Sequence, residues 1–314
     1  MQQGTVIRST GKWYQVRLSD GLILPCRIIG KFRLHGMKLT NPVAVGDEVM
    51  VSMEPGEEKT GLIKKIVPRR NSVVRQSPRQ KHHLHLLAAN VDQAVLIATI
   101  IQPDLKPGFI DRFLLMTEPH NIPTVIVLNK ADLYNQDQLE LFDALEYLYS
   151  DIGYQVLLAS AHTGIGIDRL KKMLQGKTSM ISGQSGVGKS SLINAVQPLL
   201  GLRTTELSDY SGKGQHTTTF AEMLPLDDGG YIIDTPGIKT LSFNYLEPQD
   251  VAHNFREFFQ RSTSCRFHNC THRNEPGCAV KEAVENGKIS ELRYQNYLAI
   301  MDEIEQQNYW ERHK

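Results

Sequence analysis

The sequence predicts three units in series: a small antiparallel β-barrel, a doubly wound α/β domain, and a mostly α-helical segment built around cysteine and histidine. Three observations carry this. Residues 1–80 alternate β-formers with turn residues and hold 14 Lys+Arg against 6 Asp+Glu. From residue 91, apolar runs of parallel-strand type alternate with helical stretches. Past residue 245, a cluster of Cys and His interrupts a helical pattern that then resumes. A chain of 314 residues can form two or three domains with real cores and no disulfide staples.

In the first unit, residues 1–70, strands are expected at 5–7, 13–18, 22–29 and 48–53. Ser19-Asp20-Gly21, Asn41-Pro42 and Gly46-Asp47 supply the turns. Cys26 stands alone in a strand and reads as a small core residue. The basic run from Lys64 through Arg70, Arg75, Arg79 and Lys81 leads into residues 71–90, which read as a basic linker. The whole chain carries a net charge of only +1, because residues 81–240 hold 12 Lys+Arg against 17 Asp+Glu and residues 241–314 hold 9 against 11. A basic module on an otherwise acidic chain points to a polyanionic partner for that module. Trp13 and Tyr14 suit a barrel that contacts RNA through exposed aromatics; the competing reading is a solvated basic surface with core aromatics.

In the second unit, residues 91–244, strands are expected at 91–101, 124–128, 155–159, 179–182 and 231–233. Helices are expected at 109–119, 136–149, 166–175 and 189–199, giving a sheet covered on both faces. The longest apolar stretch, 94–101, falls far short of the ~18 residues of a membrane span. The first ten residues contain no apolar signal region, so the expected location is the reducing cytoplasm, with no membrane partner. Cysteines there are metal ligands or buried thiols rather than disulfides.

Gly183-Gln184-Ser185-Gly186-Val187-Gly188-Lys189-Ser190 fits G-x-x-x-x-G-K-[ST], after an apolar strand and before a helix that Ser191 continues. Glycines let the backbone amides wrap phosphate oxygens, and the helix N-terminus adds positive potential. Lys189 reaches the β/γ-phosphates and the Ser190 hydroxyl ligates Mg²⁺. Asn129-Lys130-Ala131-Asp132 follows the strand at 124–128. A carboxylate at Asp132 can accept from both N1–H and the N2 amino group of guanine, an arrangement adenine does not offer, so GTP is the expected nucleotide. Lys130 can lie along the base and Asn129 can tie neighbouring loops. The alternative for Asp132 is a plain helix N-cap. Ser160-Ala161 resembles a second base-contact loop, with a backbone amide for guanine O6.

Asp234-Thr235-Pro236-Gly237 follows the strand at 231–233. Asp234 is expected to face Mg²⁺ through water and the Gly237 amide to sense the γ-phosphate. Thr218 is the expected Mg²⁺ ligand of the intervening polar segment, with Thr217 as its rival. Many GTPases orient the attacking water with a Gln where this chain has Ile238, which cannot hydrogen-bond water. His216 is the nearest replacement; the competing reading is a solvated loop histidine. The motifs also run in permuted order, with base recognition before the phosphate loop. The second switch therefore leads straight into residues 245–314, as a lever would.

Cys265, Cys270, His272 and Cys278 supply three thiolates and an imidazole within 14 residues, a full tetrahedral set for one structural Zn²⁺. His268 is a rival ligand. Leu292, Tyr297, Met301 and Ile304 lie at helical spacing beyond it.

Taken together, LAANVDQ (87–93), NKAD, GQSGVGKSSLINA, GQHTTT, DTPGI and the Cys/His cluster resemble the ribosome small-subunit-dependent GTPase A family (RsgA, also called YjeQ) over essentially the whole chain. The resemblance implies an N-terminal OB-fold, a central circularly permuted GTPase domain and a C-terminal zinc domain over 245–314. It also implies late maturation of the small ribosomal subunit on rRNA, GTP hydrolysis to GDP stimulated by that subunit, and His216 in place of the missing Gln. A monomer is expected. The competing reading is an RNA-binding module that uses GTP as an ordering ligand with negligible catalysis, which Ile238 favours. A protein-directed signalling GTPase fits the basic barrel less well, and a zinc hydrolase conflicts with a closed metal set.

Overall fold

The computed structural model describes residues 1–10, 12–29, 41–55, 59–76, 84–202, 221–235, 243 and 246–312. Strands β1 (Gln2–Ser9), β2 (Tyr14–Leu18), β3 (Ile23–Ile28), β4 (Glu48–Met53) and β5 (Gly61–Ile66) run in the order β1-β2-β3-β5-β4, and β4 returns to pair with β1. The sheet thus closes, with β3 and β5 parallel and the other pairs antiparallel. This is a five-stranded barrel of OB type. Val6, Val16, Leu24, Cys26, Val49, Val51 and Ile63 fill it.

Two expectations for the barrel are corrected. Tyr14 is not an exposed aromatic: it is 1% exposed and belongs to the barrel core, whereas Trp13 is 40% exposed. Strand alternation is the reason, since neighbours point to opposite faces. Residues 71–90, read as a linker, carry β6 (Ser72–Gln76) and β7 (Leu84–Ala89), paired as an antiparallel ribbon. Val73, Leu87 and Ala88 of this ribbon are buried in the largest core cluster.

The ribbon docks the barrel. Asp47, fully buried, takes two bonds from the Arg69 guanidinium, 2.6 and 2.8 Å long. Gly46 has φ +91°, and a Cβ there would lie 2.1 Å from the Ala89 carbonyl oxygen, so only glycine lets the turn approach. The Asn71 side chain pairs with both the N–H and C=O of Val91.

The central sheet holds β8 (Gln93–Ala98), β9 (Thr124–Leu128), β10 (Gln155–Leu158), β11 (Thr178–Gly183), β12 (Glu222–Pro225) and β13 (Tyr231–Asp234), in the order β10-β9-β8-β11-β13-β12. All pairs are parallel except β12 with β13, and β12 meets β1 at Arg8 and Glu222, joining the two sheets. Strand β8 shows why both faces are covered. Ala94, Leu96 and Ala98 enter one core, and Val95 and Ile97 enter the other. Helices α1 (Phe109–Thr117) and α2 (Gln136–Asp151) cover the first face; α3 (Ile167–Leu174) and α4 (Lys189–Val196) cover the second.

The C-terminal region contains α5 (Pro248–His253), α6 (Arg256–Ser262), α7 (Ala279–Glu285) and α8 (Glu291–Arg312). Phe255, Phe258, Tyr297, Ile300, Met301 and Ile304 extend the first core rather than forming a separate one. The expected helical stripe needs one correction: Leu292 is 48% exposed, and the adjacent Arg293 takes its inward place.

Candidate functional site

The parallel strands end on one edge, where open α/β sheets bind ligands. Residues 129–132 follow β9, and Ser160 follows β10 two residues on. The loop 183–188 connects β11 to α4, whose N-cap is Gly188. These segments meet around a cleft of about 450 Å³ whose lining includes Asn129, Lys130, Asp132, Ala161, His162, Gly188 and Ser191. Asn129, Lys130, Asp132, Ala161, Gly188 and Ser191 are expected site residues that this cleft brings together; His162 carried no expectation.

Asn129 is the fastener. Its Nδ2 donates to the Val187 carbonyl at 2.8 Å, fixing the base loop to the phosphate loop. Its Oδ1 is buried with no protein partner among the described residues. Asp132 is positioned by Ser160, whose hydroxyl donates to Oδ1 at 2.5 Å and accepts the amides of His162 and Thr163 at 3.2 and 3.1 Å. The Ser160 amide is itself committed to Ile165 O at 2.9 Å. A base-facing amide in this loop would therefore be that of Ala161, which lines the cleft. The Lys130 ammonium donates to the Gln102 carbonyl, and burial lowers the Lys130 pKa.

In the phosphate loop, Lys189 Nζ donates to the carbonyls of Gly183 and Gln184 at 3.0 and 2.7 Å. Burial pushes its pKa down while Asp234 pulls the other way. The register of β11 against β13 sets Ile181 opposite Asp234, which brings that buried carboxylate beside the loop. Thr235 is buried and donates its hydroxyl to Ile181 O at 2.9 Å. Ser190 lies in the first turn of α4. A hydroxyl, as on Ser190, and a carboxylate, as on Asp234, are hard oxygen donors of the kind that suits the Mg²⁺ of a nucleoside triphosphate.

The ligand atoms of Cys265, Cys270, His272 and Cys278 all lie within 4.8 Å of one another. His272 Nδ1 is 3.7 Å from Cys265 Sγ and 3.4 Å from Cys278 Sγ. Tetrahedral zinc with ordinary bond lengths requires S···N separations of about 3.6 Å, so the set fits Zn²⁺. Burial pushes the Cys270 thiol up to about 12, and a bound cation is what would hold it as thiolate. The loop is drawn together by Glu275. Its carboxylate accepts the Thr271 amide and hydroxyl and the amides of Arg273 and Asn274. Burial opposes the charge, but the bonds from Thr271 and the backbone lower the pKa to about 2. The Cys278 sulfur caps α7, accepting from Lys281 N at 3.5 Å.

Family profiles match two segments: the RsgA N-terminal domain over residues 3–63 and the RsgA GTPase over residues 66–244. The chain belongs to the RsgA GTPase family. Relatives include small ribosomal subunit biogenesis GTPase RsgA 2 of Bacteroides thetaiotaomicron and small ribosomal subunit biogenesis GTPase RsgA of Phocaeicola vulgatus, each 48% identical over 307 residues and covering 98% of both chains. The crystal structure of YjeQ from Thermotoga maritima is 38% identical, with a TM-score of 0.76 over 96% of this chain and 98% of that one. YloQ, described as a circularly permuted GTPase, is 32% identical, with a TM-score of 0.72 over 98% of this chain and 96% of that one. The RsgA fold is accordingly a barrel, a permuted GTPase domain and a helical region around a Cys₃His cluster.

The RsgA motif residues His216, Thr217, Thr218, Gly237 and Ile238 lie outside the described residues. One residue beside the base loop, Tyr134, carries no motif but bonds to it directly: its hydroxyl reaches the Asn129 carbonyl.

Proposed function

We propose that the chain hydrolyses GTP to GDP and phosphate as a cytoplasmic, monomeric assembly factor in small ribosomal subunit biogenesis, contacting rRNA, with hydrolysis stimulated by the subunit. The observation that carries this reading is the Asn129–Val187 bond, which joins a guanine-reading loop to a phosphate loop around one cleft.

Asp132 accepts N1–H and N2–H of guanine, the Ala161 amide meets O6, and the second Nδ2 proton of Asn129 is available to the base. The amides of Gly183, Gln184, Ser185, Gly186, Val187 and Gly188 wrap the phosphates, which take over Lys189 from the Gly183 and Gln184 carbonyls. Ser190, Asp234 and Thr218 hold Mg²⁺, which neutralises phosphate charge, and Gly237 senses the γ-phosphate. The barrel offers RNA an exposed Trp13 with the Arg27 guanidinium 5.1 Å from its ring centroid, together with exposed Leu22 and Ile23. Stacking and cationic groups of this kind serve single-stranded nucleic acid.

The test is single-turnover GTP hydrolysis with and without isolated small subunits, in wild type and His216→Ala, with nucleotide-dependent co-sedimentation alongside. Slow basal turnover, strong stimulation and a stimulated rate ~10²-fold lower in His216→Ala are expected of a positioned water-orienting group. Binding to subunits without stimulated turnover would leave the ordering-ligand reading that Ile238 favours. Full stimulation of His216→Ala would assign the catalytic group to the ribosome.

A further inference from the structure

Tyr134 bridges the ends of two parallel strands. Its hydroxyl accepts the Ile100 N–H at 2.9 Å and donates to the Asn129 carbonyl at 2.7 Å. Ile100 follows β8 and Asn129 follows β9, so one oxygen ties the two chain segments behind the cleft. The half-buried ring packs against the large core cluster. A single 3-10 turn, Ala131–Leu133, delivers it, closed by the Tyr134 N–H on Ala131 O at 3.2 Å.

Asn129 is consequently held at three points. Its N–H donates to Ala98 O at 2.8 Å, its carbonyl accepts from Tyr134, and its side chain reaches Val187. The segment between Asn129 and Tyr134 runs between these anchors and has further ties of its own: the Ala131 N–H donates to Ala159 O at 3.0 Å, the Ser160 hydroxyl to Asp132, and the Lys130 ammonium to the Gln102 carbonyl. Tyr134 must donate and accept at once, which only a neutral phenol does. Burial pushes its pKa up to about 12, so the phenol is neutral across the physiological range.

We infer that Tyr134 is a positioning residue for guanine recognition, setting the backbone of the 129–132 loop so that Asp132 meets N1–H and the N2 amino group together. The inference rests on the nucleotide reading above. It predicts a selective effect. Guanine uses both Asp132 contacts, whereas hypoxanthine lacks the 2-amino group and uses one. A loosened loop spoils the two-point geometry first, so the guanine preference falls.

The experiment compares release of fluorescent GDP and IDP from the full chain in wild type, Tyr134→Phe and Asp132→Asn. Phenylalanine keeps the ring and its packing while leaving Ile100 N–H and Asn129 C=O unbonded. Tyr134→Phe is expected to release GDP ~5–10-fold faster, on the scale of a lost buried hydrogen bond, and IDP less so. Equal acceleration of both nucleotides would mean a merely structural role, and no change would mean none; either overturns the inference. If Asp132→Asn binds GDP as wild type does, the guanine-site reading itself falls. If Asp132→Asn loses GDP while Tyr134→Phe keeps the wild-type preference, only the role of Tyr134 falls.

Discussion

Gly188 has φ +86°, and a Cβ built there would stand 2.5 Å from Asn129 Nδ2. The first feature strains any L side chain; the second pushes against a buried amide that is already bonded to Val187. Gly188→Ala should therefore release Asn129 from the phosphate loop and weaken GTP binding at least ~10-fold, the scale of one broken buried contact. Titration with a fluorescent GTP analogue checks it; wild-type affinity would show that the loop absorbs a methyl group without loss. Gly188 was legible in the sequence because the G-x-x-x-x-G-K-S spacing marks it. Asp132 was picked out by its own motif, Asn129-Lys130-Ala131-Asp132 after a strand. Ser160 was visible only as a weak Ser-Ala pair, and its side-chain bond to Asp132 depends on a fold that brings two loops 28 residues apart together. Tyr134 and His162 had no motif, so nothing short of the geometry could single them out.

Elements were legible where a period was clean. Strands β8 and β9 are buried along their whole length and β11 from Ser179 onward, and all three read as buried parallel-type strands; α2 announces itself with an Asn135–Gln138 capping box. Strand β5 was hidden by Lys64 and Lys65, which are exposed where the pattern leaves the barrel core. The β6–β7 ribbon was hidden by a register shift between Val73 and Val74 that breaks alternation, and by the basic residues around it. The Cys/His loop is a third case, because its order comes from ligands rather than from period. Thr271 to Cys278 has no regular helix or strand, yet Glu275 and the metal ligands fix it. Cys270→Ser should lower the zinc content below one per chain and make residues 246–312 more sensitive to proteolysis, since metal binding and folding of such a site are coupled. GTP affinity should stay within ~2-fold, because no ligand of the cluster lines the nucleotide cleft and distant sites act nearly independently. One zinc per chain in a variant of unchanged protease resistance would remove Cys270 from the ligand set.

At the scale of the molecule, the permuted motif order leads the second switch into the C-terminal region, but that region does not hang from a tether. Arg293 on α8 is buried and pairs with Asp111 on α1 at 2.6 Å and with Glu257 on α6 at 2.7 and 2.9 Å. Asp111, also buried, accepts in addition from Tyr149 at 2.7 Å and Asn296 at 2.6 Å. Arg256 adds a forked pair with Glu118 and lies 4.1 Å from the centroid of the Tyr154 ring. None of this could be read from the sequence, where Arg293 belongs to no motif and stands next to Leu292 of the expected apolar stripe. A nucleotide-driven motion of the C-terminal region must then carry α1 with it or break this network. Arg293→Lys tests how firmly the two are joined. Lysine keeps the charge but is a single point donor, so it cannot span Asp111 and both oxygens of Glu257, and it no longer lies 4.3 Å over the Phe255 ring. One buried carboxylate is left without its partner, which costs ~3–5 kcal/mol where a buried pair is broken. The urea midpoint should fall accordingly, while zinc content stays at the wild-type value because the ligands lie in 265–278. An unchanged midpoint would show that water replaces the guanidinium at no cost. Loss of zinc in step with stability would show instead that the network belongs to the folding of the metal site rather than to the joint between the domains.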